Sequence, residues 1–208
     1  MTLSQTTLHN GLRVMLAPME HNATVTVLLL TAAGSKYERK EQNGISHFLE
    51  HMCFKGTTKR PSAEIISKEL DRIGGEFNAF TSKEYTGYYA KVRAAHAPIA
   101  LDVVSDIFVH QLIAQEEVER ERNVIIEEIN MYRDTPTDHI GDVWEELLYG
   151  DQPAGWPVAG TADIVRGMSR ADMVAYHREH YTAENSLVII AGDEAALKRC
   201  EKELPALF

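Results

Sequence analysis

Two imidazoles and a carboxylate on a single helical face constrain this chain more than any other feature of its sequence. They occur in Gly44-Ile45-Ser46-His47-Phe48-Leu49-Glu50-His51-Met52, where His47, Glu50 and His51 stand three and four residues apart. At about 100° per residue, His51 sits about 40° from His47 and Glu50 falls on its other side, so the three share an arc of roughly 100°. Such a helix can grip one metal ion between two histidines while a carboxylate stands beside it. A catalytic zinc takes three protein ligands, commonly two His and one carboxylate, and keeps one position open. The fold must therefore bring another acid-bearing element against this helix.

The best source is the segment 116–133, which reads as a helix opening on acidic residues that suit its dipole. Glu121 and Glu128 are seven apart and share a face two turns from each other, whereas Glu127 points about 100° away. One of the pair can ligate and the other can brace the site. The stretch from Glu116 to Arg122 reads equally well as a charged outer face of Glu-Arg pairs.

The rest of the chain supplies the scaffold. Thr7 to Val14 carries an Asn10-Gly11 hairpin signal, and Ala23 to Ala33 is β-branched and apolar enough for an interior strand. A helix over 44–55 ends at Gly56. Another begins at Pro61 and stops at Gly74-Gly75, with Ile65, Ile66, Leu70 and Ile73 on its apolar side. Residues 76–82 and 84–93 read as two tightly connected strands, and helices are expected over 96–113, 116–133, 137–149, 169–180 and 194–204. Gly150 to Gly160 is a loop by composition, and Ser186 to Ala191 a last strand. This irregular order, with hairpin links between strands, predicts a single α+β domain with helices on a largely antiparallel sheet.

Composition narrows the partners. A formal charge of −10 without any Lys/Arg cluster argues against nucleic acid and leaves basic or neutral peptides open. Cys53 and Cys200 are too far apart to read as a disulfide framework, and both are expected to be plain thiols in a reducing compartment. The N-terminus lacks a basic stretch followed by an apolar one, and no apolar run approaches the roughly 18 residues of a membrane span, so a soluble, cytoplasmic protein is expected, without membrane contact. A second pair, His177 and His180, lies near a helix end where the dipole favours histidine, and no third ligand is evident. Cys53 falls about 200° round the helix from His51 and so faces away from a metal.

His47-Phe48-Leu49-Glu50-His51 resembles the HxxEH motif of the inverzincins, the M16 metallopeptidases that include insulin-degrading enzyme and mitochondrial processing peptidase. The resemblance covers essentially the whole chain. It extends through Phe54-Lys55-Gly56-Thr57, Gly74-Gly75 with Asn78-Ala79, Glu121 and Glu128, His180-Tyr181 before Asn185, and Ala191-Gly192-Asp193. It implies the N-terminal catalytic domain of that family, with the fold shared by LuxS and mitochondrial processing peptidase, and without the usual second homologous domain. It implies one Zn2+ held by His47, His51 and Glu128, with Glu50 as general base and Glu121 as a supporting carboxylate. The strand from Glu76 resembles the family's edge strand, with Asn78, Ala79 and Phe80 against an extended peptide. The expected activity is endopeptidase cleavage of unstructured peptides. Two rivals keep the ligands: a metal-binding subunit working with a separate M16 chain, and a zinc hydrolase of a non-peptide amide. A homodimer, or a heterodimer with a second M16 domain, is expected to complete the site.

Overall fold

The protein is described by a computed structural model covering residues 3–208. Its centre is β3 (Thr24–Thr31), where alternation buries Val25, Val27 and Leu29 on one face. A period of two on a half-buried strand produces this pattern. β3 pairs antiparallel with β5 (Thr86–Arg93) on one side and with β6 (Ser186–Gly192) on the other. β4 (Glu76–Thr81) pairs antiparallel with β5 and ends the sheet on that side. On the far side β2 (Arg13–Pro18) runs parallel to β6, and β1 (Ser4–Thr7) pairs antiparallel with β2. The β1–β2 hairpin closes over Leu8 to Leu12, where Gly11 takes the φ of +90° that its Asn-Gly signal called for.

Registered partners place Val14, Leu16, Val188, Ile190, Val25, Val27, Leu29, Tyr88, Ala90 and Ala79 on one sheet face. All belong to a single buried core, and the helices cover that face. α3 (Ala97–Val109) crosses β3 and β5, α8 (Glu194–Leu207) lies over β2 and β6, and α1 (Ile45–Cys53) packs on β4 and β5. α4 (Gln115–Asp134) packs on α1, and α5 (Pro136–Tyr149) on α4. The result is the α+β architecture expected from the sequence, with a six-stranded sheet that is antiparallel except at β2 and β6. No helix among the described residues is long and apolar enough to cross a membrane.

Three local expectations change. In α2 (Ala63–Asp71), Ile66 and Leu70 are buried but Ile65 is 43% exposed, because it lies a full 100° from Ile66 and off the buried stripe. α3 stops at Val109 instead of reaching 113. The backbone beyond it is claimed by the loop after α1: Thr58 N–H donates to the His110 carbonyl (3.3 Å), Leu112 N–H donates to Gly56 (3.0 Å), and Ile113 sits at φ +44°. A short helix, α6 (Ala162–Gly167), follows the 150–160 loop, with the Thr161 hydroxyl accepting from Ile164 N–H (3.5 Å). α7 (Arg170–His180) opens on a reciprocal Ser169–Asp172 capping box.

One buried charge cluster is complete within the chain. Arg60, 2% exposed, donates from Nε and Nη2 to Glu69 (2.7 and 2.9 Å), from Nη2 to Asp102 (2.5 Å) and from Nη1 to Asp106 (2.7 Å). It joins the loop after α1 to α2 and α3. Thr57 Oγ1 donates to Asp106 (2.6 Å) and accepts from Arg60 N–H (2.8 Å), closing the cluster.

Candidate metal centre

α1 begins at Gly44 in the left-handed region, φ +97°, where an added Cβ would stand 2.5 Å from the Ala159 carbonyl oxygen. No side chain of its own first turn caps it. Its free N–H groups are instead met from outside by Glu38, only 4% exposed: Oε2 accepts from Gly44 N–H (2.7 Å) and Asn43 Nδ2 (2.9 Å), and Oε1 accepts from Ser46 N–H (2.9 Å). Burial pushes the Glu38 pKa up while those donors hold it down. Ser46 Oγ also meets the Tyr176 hydroxyl at 2.9 Å. The helix is thereby fixed at its N-terminus, with His47 and His51 turned toward α4.

α4 buries Val118, Ile125, Ile126 and Ile129 and presents Glu121 and Glu128 to α1. Glu128 Oε2 lies 3.3 Å from His51 Nε2 and 3.7 Å from His47 Nε2. One donor atom from each of His47, His51 and Glu128 falls within 4.8 Å of the others, the one such group among the described residues. Metal–ligand bonds of about 2.0–2.2 Å in a tetrahedron separate ligand atoms by roughly 3.3–3.6 Å, so the donor set fits a zinc ion. Glu127 is exposed and points elsewhere.

The second carboxylate of α4 braces the cluster. Glu121 Oε2 lies 3.1 Å from His51 Nδ1, and Oε1 takes Lys55 Nζ at 2.6 Å. A carboxylate on the far nitrogen of a ligating histidine fixes its ring and leaves Nε2 facing inward. Tyr132 donates to Glu128 Oε1 at 2.9 Å.

Burial and the neighbouring charges push the titrating groups of this cluster in different directions. Burial and the neighbouring His51 depress the His47 pKa to about 4. Burial opposes charge on His51 too, but hydrogen bonds to Glu121 and Glu128 outweigh it and push that pKa up to about 9. The bond from His51 holds Glu128 down to about 2. The Glu50 pKa is raised by burial, against the Thr81 hydroxyl and His51. Among the described residues, His47 Nδ1 is buried without a hydrogen-bond partner.

The cluster opens on a cleft of about 440 Å³ lined by His47, Glu50 and Glu128, by Ala79, Phe80 and Thr81 of β4, and by Asp138 and Asp142 of α5. The structure thus brings five of the eight expected site residues, His47, Glu50, Glu128, Ala79 and Phe80, to the lining of one cleft. His51 lies 3.3 Å from Glu128 Oε2, and Glu121 contacts His51 from behind. Asn78 is exposed beside the cleft, with its Oδ1 accepting from Ala79 N–H at 2.9 Å. Phe80 lies over Gly87, where an added Cβ would meet its ring at 2.3 Å. Asp138 and Asp142 escaped the sequence reading, and their only signal was an i, i+4 acidic pair opening the helix after α4. His177 is engaged elsewhere, its Nε2 3.2 Å from the Phe108 carbonyl and its ring stacked on Tyr181, while His180 packs on Tyr176. Cys53 and Cys200 are buried free thiols, and Cys53 faces the core.

Comparison with known proteins places this geometry. The chain is 42% identical over 201 residues to a Bacillus subtilis protein named uncharacterized zinc protease YmxG, covering 94% of this chain and 48% of the relative. It is 41% identical over 192 residues to a Streptomyces coelicolor protein named uncharacterized zinc protease SCO5738, covering 92% and 42%. Among solved structures, a protease from Helicobacter pylori superposes with a TM-score of 0.91 at 27% identity, covering 97% of this chain and 49% of that one. Pitrilysin shares the fold with a TM-score of 0.86 at 24% identity, covering 98% and 22%. The chain spans about half the length of the curated relatives it matches. A family profile described as Insulinase (Peptidase family M16) matches residues 13–162, and the chain belongs to that family.

Proposed function

We propose that this domain is a zinc-dependent endopeptidase, with one ion held by His47, His51 and Glu128, Glu50 as general base and Glu121 as the carboxylate that orients His51. The observation that carries the reading is the convergence of two imidazoles and a carboxylate beside a half-buried carboxylate at the wall of an open cleft. The relatives' names as zinc proteases support it. A zinc ion there supplies Lewis acidity toward a scissile carbonyl and brings the pKa of a water to about 7. Glu50 takes a proton from the attacking water and returns it to the leaving amine, a role an amide cannot fill. Burial of Glu50 suits both halves of that transfer.

β4 ends the sheet, so an extended peptide can add to it by backbone hydrogen bonds. Ala79 N–H is occupied by the Asn78 side chain, a bond an incoming peptide carbonyl would replace, and Phe80 flanks the cleft. Only an unfolded or small polypeptide offers a free strand. Asp138 and Asp142, together with the net charge of −10, favour basic substrates.

Digestion of an unstructured peptide library, read by mass spectrometry with and without a chelator, tests the activity. Chelator-sensitive cleavage is expected. Glu50→Gln should keep zinc and lose about 10²- to 10⁴-fold in kcat. Retained cleavage by zinc-loaded Glu50→Gln contradicts the assignment. A zinc hydrolase of another amide would leave the library intact.

The length of the relatives favours a second reading on the same ligands, a metal-holding domain that is fully active only when paired with another. Specific activity that falls on dilution, in step with molecular mass, supports it.

A further inference from the structure

A carboxylate offers two oxygens, and a metal site that must keep one position open has use for only one of them. At Glu128 the structure separates the two. Oε2 lies 3.3 Å from His51 Nε2 and 3.7 Å from His47 Nε2, whereas Oε1 accepts from the Tyr132 hydroxyl at 2.9 Å. The last torsion of a glutamate is broad, so the side chain by itself does not fix which oxygen faces the imidazoles. Tyr132 stands one turn further along α4, at the i, i+4 spacing that brings two side chains together. Glu128 is the one partner of its hydroxyl among the described residues. The Tyr132 side chain lines both the cleft and an adjoining cavity of about 400 Å³, and the residue is 36% exposed. At the edge of solvent a water could satisfy Oε1 equally well. What the phenol adds is a fixed direction.

We propose that Tyr132 is a positioning residue of the metal centre: by holding Oε1 it turns Oε2 alone toward the ion and leaves free the position that a catalytic site needs. The inference rests on the metal ligands of the proposed function and not on peptide cleavage. α4 then supplies one ligand and two outer partners, Glu121 behind His51 and Tyr132 behind Glu128. Such partners hold a ligand in place before the ion arrives. Without the hydroxyl the carboxylate is free to rotate, and an incoming ion must order it at a cost in side-chain entropy. Both oxygens can then engage, which fills the open position.

The test is a competitive chelator titration of zinc, together with the visible spectrum of the cobalt-loaded chain, whose absorbance per ion falls as coordination rises from four to five. Tyr132→Phe keeps the ring and should fold normally by circular dichroism. It should weaken zinc about 10-fold and lower the cobalt absorbance. Tyr132→Gln gives up the ring but restores an N–H donor four residues on from Glu128, so it should bind zinc more tightly than Tyr132→Phe. A mere packing role for the ring predicts the reverse order. Tyr149→Phe, at an exposed tyrosine of α5, should match wild type in both measurements. Equal zinc affinity in wild type and Tyr132→Phe overturns the proposal, as does an unchanged cobalt spectrum or tighter zinc in Tyr132→Phe than in Tyr132→Gln. A wild type that takes up neither ion ends the metal assignment itself, and this inference with it.

Discussion

Arg60 and the His47–His51 pair stand in comparable surroundings, each facing three carboxylates, and are finished differently. Around Arg60, the acids Glu69, Asp102 and Asp106 meet a guanidinium that the chain itself supplies, sealed at 2% exposure. Around the histidines, Glu50, Glu121 and Glu128 meet no guanidinium: Glu121 takes Lys55 and His51, Glu128 takes His51 and the Tyr132 hydroxyl, and the group stands beside a cleft open to solvent. The closed cluster can only hold the loop after α1 to α2 and α3. The open one has the donor set that the proposed function assigns to a cation from outside. Burying charge is costly unless it is paired, so a half-open acidic cluster is tolerable where an exchangeable ion completes it.

Removing the built-in cation should have the largest effect. Arg60→Met removes the cation that joins three acids, leaving Glu69 without its partner, Asp102 with only Lys59 and Asp106 with only Thr57 and His110, and should cost about 3–5 kcal/mol in urea unfolding. Its folded fraction should bind zinc as wild type does. Loss of zinc binding in folded Arg60→Met would mean that the two clusters are not separable.

Glu121 sharpens the distinction, since it touches both Lys55 and His51. Glu121→Gln should weaken zinc about 10- to 100-fold in a competitive chelator titration and change unfolding much less than Arg60→Met does. A large stability loss with unaltered zinc affinity would move Glu121 into the structural class.

The smallest effect is one of pH. Arg60 holds the Glu69 pKa down against burial, and at Asp102 burial is outweighed by Lys59 and Arg60. A depressed acid stabilises the fold above its unfolded pKa and ceases to do so as pH falls through the folded value. Glu69→Gln should therefore cost about 1 kcal/mol at pH 7, given its partial exposure, and the difference should shrink as pH falls below the ordinary carboxylate range and vanish once Glu69 is protonated in the folded state. A difference that persists in acid would assign the loss to packing.

How much of this was legible in the sequence depends on how local each feature is. His47, Glu50 and His51 share a face by spacing alone, and seven residues set Glu121 and Glu128 in line. The strands around β3 and the close of α2 follow from alternation and from Gly74-Gly75. Glu38 left no signal, because it caps α1 from outside the helix, across a left-handed Gly44. The Arg60 cluster joins residues from 57 to 106, so only the packed chain assembles it. α6 hid behind a loop rich in Gly and Pro. The orientation of α5 was out of reach for another reason: its pattern marks which side is apolar, and packing decides which side faces in.

The account turns on a cation shared by α1 and α4, and zinc content measures it most directly. Wild type and Glu127→Gln, purified from zinc-replete medium, should each carry about one zinc per chain, whereas Glu128→Gln should carry little at equal foldedness. Equal zinc in Glu127→Gln and Glu128→Gln would contradict the account, whichever way both had moved.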